Sequence, residues 1–219
     1  MLGARDLRET IEKSFDKVND DLSLRIDKTN SDRIHAAEAS TCTRLAYYDR
    51  RDPLRTSGEI RILSLLNNGF RRAVGNLRSE YKIDSTLTIE TNADMIIADE
   101  FVVRFEVVSE LPEVPNPRDM LYLNACLFAF KKDEGFIIYL NGEGKSAEFS
   151  LTKNNRMFEE IVRRARVLST LLKDNKVPIV EPSELCQNCR YYERCYAVRQ
   201  KEEKGGDLIA ELFGKSKKD

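Results

Sequence analysis

Three of the five cysteines crowd into one short stretch: Cys186, Cys189 and Cys195, in the spacing C-x2-C-x5-C. Thiols set that closely along one loop present ligands to a single metal centre. Three thiolates leave a four-coordinate site one ligand short, and Cys42, far upstream in a segment with helical periodicity, is the natural fourth. Such a centre ties an N-terminal helix to the C-terminal region and closes a very long loop through the metal. Zinc and iron–sulfur clusters both accept four thiolates. A zinc ribbon presents two Cys-x-x-Cys pairs, and this chain has one. Cys126 is different, because it sits in an apolar helical stretch and reads as a buried free thiol.

The first residues, MLGARDLRETIEKSF, contain acids and no apolar run, and nowhere do ~20 consecutive apolar residues occur that would span a bilayer. A cytoplasmic protein without a membrane segment is the expectation, and a disulfide framework is then the poorer account of the cysteines. Charge is dense and balanced, 36 Lys+Arg against 37 Asp+Glu. That balance argues against a protein that coats nucleic acid non-specifically and leaves room for a local basic groove.

Apolar spacing predicts helices over 4–18, over RIHAAEASTCTRLAYYDR up to the Asp52-Pro53 step, and from Ser57 to Tyr81. The segments STLTIET, ADMIIAD and FVVRFEVVSE read as sequential strands, the last two joined by a tight turn near Ala98-Asp99-Glu100. The Pro-rich LPEVPNPRD leads into a helix, MLYLNACLFAF. A hairpin follows, GFIIYLN and AEFSLT around Gly142–Lys145, and then an amphipathic helix from Asn155 to about Lys173. Together these predict an α/β (α+β) fold, a central mixed sheet flanked by helices.

The segment RIHAAEASTCTRLAYY, the strands around Asp94 and Glu106, the YLNAC helix and CQNCRYYERC follow one another in the order of a known family. Over residues 33–196 the chain resembles the CRISPR-associated RecB-like iron–sulfur exonucleases, within the PD-(D/E)xK superfamily. The resemblance implies an N-terminal helical segment (1–32), a RecB-like nuclease-fold domain with an iron–sulfur clamp (33–199), and a linker with a tail motif (200–219). It further implies a 4Fe-4S cluster on Cys42, Cys186, Cys189 and Cys195, and Mg²⁺ or Mn²⁺ held by Asp94 and Glu106. DNA, single-stranded or with single-stranded ends, is the implied partner, alongside a protein partner in CRISPR adaptation or repair.

The family also places a Lys two residues after the Glu, a His in the preceding helix, and a Gln and Tyr on the following helix. Here those positions hold Val108, Arg72, Tyr122 and Cys126. Two acids remain and the supporting polar groups are gone, which predicts a catalytically weak or inactive DNA-binding subunit. An active single-strand exonuclease using Asp94, Glu106 and a relocated base such as Arg104 is the alternative; a structural protein recruiting a partner through its tail is another.

Among other features, His35 is the lone histidine and reads as a surface or helix-end residue. Arg71, Arg72 and Arg78, and Arg163, Arg164 and Arg166, are candidates for a DNA groove or for a solvated helix face. Tyr191, Tyr192 and Tyr196, interleaved with Arg190 and Arg194, suit either a base-stacking surface or packing around the cluster. Leu208, Ile209, Leu212 and Phe213 form a tail motif that docks on a partner or folds back.

Overall fold

The computed structural model describes residues 4–54, 58–183, 186, 187 and 189–196. The tail motif within 200–219 lies outside the described residues. Among these residues the main helices and strands follow in chain order: α1 (Ala4–Leu22), β1 (Arg33–His35), α2 (Ala36–Ala39), α3 (Thr43–Arg51), α4 (Gly58–Val74), β2 (Leu77–Lys82), β3 (Thr88–Ala93), β4 (Met95–Ile97), β5 (Phe101–Val107), α5 (Pro117–Phe130), β6 (Glu134–Leu140), β7 (Ser146–Thr152) and α6 (Asn155–Lys173).

The expected single mixed sheet is two hydrogen-bonded ladders, β1-β3-β2 and β4-β5-β6-β7, with parallel pairing at β1–β3 and β5–β6. They meet at Asp94. β3 pairs with β2 up to Ala93, then the Asp94 amide donates to the Val103 carbonyl and β4 continues on β5. The acid thus sits where one strand changes partners.

Helix α5 packs on both ladders and is buried on all sides from Tyr122 to Leu127. Its apolar residues fill the space between the sheets and α6, whose Phe158, Ile161, Ala165, Leu168 and Leu172 face inward. Asn116 caps the start of α5 ahead of Pro117, and Lys131 in the left-handed region ends it. Asn124 of α5 and Asn154, the N-cap of α6, exchange two hydrogen bonds of 2.9 and 2.8 Å, which fixes one helix against the other. On the far side α4 lies along β5 and carries α1.

Two predicted helices are broken by long-range pairing. Arg33–His35 leaves helical geometry to pair with Thr88–Glu90, and the buried His35 then caps α2 through its Nδ1, in a capping box with Glu38. His35 is therefore an interior residue and not a surface one. The expected helix to Tyr81 stops at Val74. At Gly75 the backbone presses so close to the Asp94 carbonyl that a Cβ there would lie 2.4 Å from the oxygen, and the chain turns into β2. The β4–β5 turn follows the expected pattern, with Ala98 and Asp99 both at positive φ. The hairpin around Gly142 and the span of α6 also stand as expected.

Candidate functional site

Period-two alternation along β5 puts Arg104 and Glu106 on one face, and the strand-switch point brings Asp94 beside them. From above, α4 supplies Asn67 and Arg71, one turn apart. These charges are buried: Arg104 is 7% exposed, Glu106 9% and Asp94 3%.

The four charges pair off. Arg71 Nη2 reaches Glu106 Oε1, while its Nε stands 3.7 Å from Asp94 Oδ2 and donates to the Phe105 carbonyl at 3.1 Å. Arg104 Nη2 donates to Glu106 Oε1 at 3.1 Å and Nη1 to the Asn92 carbonyl at 3.0 Å. Its guanidinium lies 4.0 Å from the Tyr122 ring centroid. Asn67 Nδ2 donates to Glu106 Oε2 at 2.7 Å, and Asp94 Oδ2 accepts from the Phe105 amide at 2.7 Å. A divalent cation would need the lone pairs that these donors occupy. Among the described residues, no three His, Cys, Asp or Glu side chains are grouped so as to hold an ion.

The two acids are pushed apart in acidity. Burial works against ionisation of Glu106, but Arg71, Arg104 and the Asn67 amide outweigh it and hold the carboxyl below its ordinary range. For Asp94 burial dominates over the attraction of Arg104 and Arg71, and its pKa rises. Burial likewise raises the Tyr122 phenol and pushes the Cys126 thiol up to about 12, so neither ionises near neutrality.

Several predicted positions move. Arg71, not Arg72, faces the acids; Arg72 turns to α1 and donates to the Asp21 carbonyl at 2.9 Å. Tyr122 and Cys126 do converge here, both on the Asn92 carbonyl, at 3.0 and 3.5 Å. Val108 lines a different, larger cleft with Thr41, Cys42 and Tyr139. Asn67 and Asn92 went unnoticed in the sequence, although Asn67 is four residues before Arg71 and Asn92 two before Asp94. His35 Nε2 meets Asn92 Oδ1 at 2.8 Å, and burial lowers its pKa towards the neutral form.

Outside this quartet lies a cleft of about 450 Å³ lined by Arg25, Arg71, Arg72, Arg78 and Arg104 with Asp21 and Asp94. Arg163 and Arg164 are instead bound to Glu160, and Arg166 to Asp84, on the outer face of α6.

A second cavity, about 540 Å³, is lined by all four predicted cysteine ligands together with Arg44, Arg190, Tyr191 and Tyr192. Cys42 is the residue before α3, not inside a helix. The Ser183 amide donates to Cys186 Sγ at 3.4 Å. Burial raises the Cys195 thiol against the pull of Arg44, and the thiols of Cys189, Cys42 and Cys186 raise it further, so each of those three lies within electrostatic reach of Cys195. The four thiols line one cavity, but among the described residues no three of them are grouped so as to hold an ion.

Tyr191 is fully buried: its hydroxyl donates to Asp49 Oδ1 at 2.6 Å and accepts from the Leu54 amide at 3.0 Å. A base cannot stack on it. Arg190 pairs with Asp49, and Arg194 with Asp52 at 2.9 Å, while Arg194 also covers Tyr48 and Tyr191. Tyr192 and Tyr196 are half-exposed and stack on one another with centroids 6.0 Å apart.

No family model matches the sequence, and no curated protein does. The fold is similar to the crystal structure of SSO0001, with a TM-score of 0.58 and 15% identity over 83% of this chain and 94% of that one. That likeness supports the arrangement of elements. Fainter likenesses exist to the alkaline exonuclease LHK-Exo of Laribacter hongkongensis (TM-score 0.43, 7% identity, 67% of this chain and 91% of that one) and to a phage-related exonuclease of Haemophilus somnus (0.41, 7%, 66% and 96%). At that distance they bear on no chemistry. No helix among the described residues is long and apolar enough to cross a membrane.

Proposed function

We propose that this chain is a nucleic-acid-binding protein on a RecB-like nuclease fold, with the metal-dependent reaction silenced, acting as a subunit in DNA processing such as CRISPR adaptation or repair. The observation that carries the reading is the charge exchange at the acid pair. Arg71 and Arg104 supply the positive charge that two acids of this kind otherwise take from Mg²⁺ or Mn²⁺. A guanidinium neutralises the carboxylates but activates no water, and Val108 leaves no lysine two residues beyond Glu106 to do so. What remains suits binding: planar donors and an arginine-lined cleft.

A 4Fe-4S cluster on Cys42, Cys186, Cys189 and Cys195 is part of the proposal; its support is the chemistry of the donors, four thiols from two distant segments that line one cavity and include one Cys-x-x-Cys pair. When bound, such a cluster supplies a cross-link between α3 and the C-terminal segment. Arg44, Arg190 and Tyr191 hold those segments in place around it.

The reading is tested by incubating anaerobically purified protein with Mn²⁺ and labelled single-stranded DNA, beside Asp94→Ala/Glu106→Ala. No cleavage, or equal cleavage by both, is expected. Cleavage lost in the double variant would establish an active nuclease with a relocated base.

A further inference from the structure

We infer that the cleft beside the acid pair is a metal-independent seat for a phosphate group, formed at its rim by Arg25, Arg72, Arg78 and Asn76. The inference rests on the nucleic-acid reading above and adds to it the place and chemistry of contact.

The floor and the rim of this cleft differ in charge. At the floor, Arg71 and Arg104 are matched by Asp94 and Glu106, so the floor is close to neutral and its donors are already engaged. The rim carries three exposed guanidiniums, from Arg25, Arg72 and Arg78, against the single carboxylate of Asp21. Among the described residues neither Arg25 nor Arg78 has a carboxylate partner, whereas the arginines of α6 do.

Opposing these charges are the C-terminal ends of α1 and α4, each worth about half a negative charge. The Arg72 guanidinium covers one of those carbonyls, at Asp21, and the balance at the rim stays positive. Asn92 Nδ2 donates to Asn76 Oδ1 at 2.6 Å, which turns the Asn76 amide so that its own NH₂ donors have no partner among the described residues.

The size fits as well. About 450 Å³ lies within the ~300–1,000 Å³ range of small-ligand sites and holds one nucleotide-sized group rather than a duplex. A wall of guanidiniums and an amide donor selects phosphate oxygens over other groups, and with the carboxylates already neutralised no cation is needed to bridge them. Two sources share this chemistry: a phosphodiester of a single strand, and a free phosphate.

The test uses a fluorescein-labelled oligothymidylate in EDTA, followed by anisotropy across a salt series, with inorganic phosphate as competitor. Arg25→Glu/Arg78→Glu is compared with Arg163→Glu/Arg166→Glu, which changes charge equally on α6. The proposal expects strand binding in EDTA that falls roughly tenfold or more in the cleft variant and little in the α6 variant. It also expects a log–log salt slope shallower by about 1.4, for two lost contacts. Displacement by millimolar inorganic phosphate would identify a free phosphate as the ligand; resistance to it would identify the strand backbone.

Equal affinity for the two charge variants, with unchanged thermal melts, would overturn the cleft assignment and leave the nucleic-acid reading intact. Strand binding seen only with Mn²⁺ would overturn both. Arg25→Ala/Arg78→Ala removes the contacts without reversing charge. Full affinity in that variant would also overturn the seat.

Discussion

Glu106 and Asp94 are neighbours with opposite stability consequences. Glu106 has a depressed pKa in the folded protein, so its contribution is present above the ordinary glutamate value of 4.5 and is lost as pH falls through the depressed value. Asp94 has a raised pKa, so its contribution is present when it is protonated and is lost as pH rises through the raised value. Glu106→Gln at neutral pH leaves Arg104 buried without its counterion and is expected to cost about 3 kcal/mol. Asp94→Asn keeps an acceptor for the Phe105 amide and is expected to cost less than about 1 kcal/mol. Urea unfolding at pH 7 and near pH 4 reads both, and the gap between wild type and Glu106→Gln should narrow at the lower pH. Equal costs for the two variants would contradict the assignment of the buried counterion to Glu106.

At the scale of elements, α3 and the segment 189–196 are held together by the Tyr191–Asp49 network, and the proposed cluster would join them a second time. The two holds separate experimentally. Cys189→Ser should abolish the visible absorbance of anaerobically purified protein and lower its melting temperature. Tyr191→Phe should keep the colour and cost about 2 kcal/mol, for two hydrogen bonds lost at a buried site. Colourless wild-type protein with one zinc per chain would sink the iron–sulfur proposal.

Elements that local signals decide were legible in the sequence. The α6 span follows from its apolar stripe and the Asn154 cap, and the β4–β5 turn from its Ala98-Asp99 corner. Elements decided by distant partners were not. β1 lies inside a helical pattern and becomes a strand only because β3 is there to pair with it. The α4–β2 corner is set by Gly75 against Asp94. The same cause hid half of the site. Asp94 and Glu106 were reached through the family resemblance and Arg104 through the alternation of β5, whereas Asn67 and the inward turn of Arg71 depend on the rotation of α4 about its axis, which the sequence does not fix. Asn92 looked like any polar strand residue until His35, Arg104 and Tyr122 were seen to meet it.

Across the whole molecule, a net charge of −1 conceals a strongly uneven surface. The arginines of α6 are spent on carboxylates, while those at the rim of the cleft are not. The fold fixes where the strand switch at Asp94, the covering helix α4 and the cleft lie; the residues placed there decide what the cleft does. The proposal is that in this chain they replace a cation with two guanidiniums.

That replacement is tested most directly by titrating Mn²⁺ into the protein and following the electron paramagnetic resonance signal of the free ion. The account predicts a free-ion signal close to that of buffer alone, in wild type and in Glu106→Ala alike. Stoichiometric loss of the signal in wild type, restored in Glu106→Ala, would show that Asp94 and Glu106 still hold a metal and that the arginines yield to it.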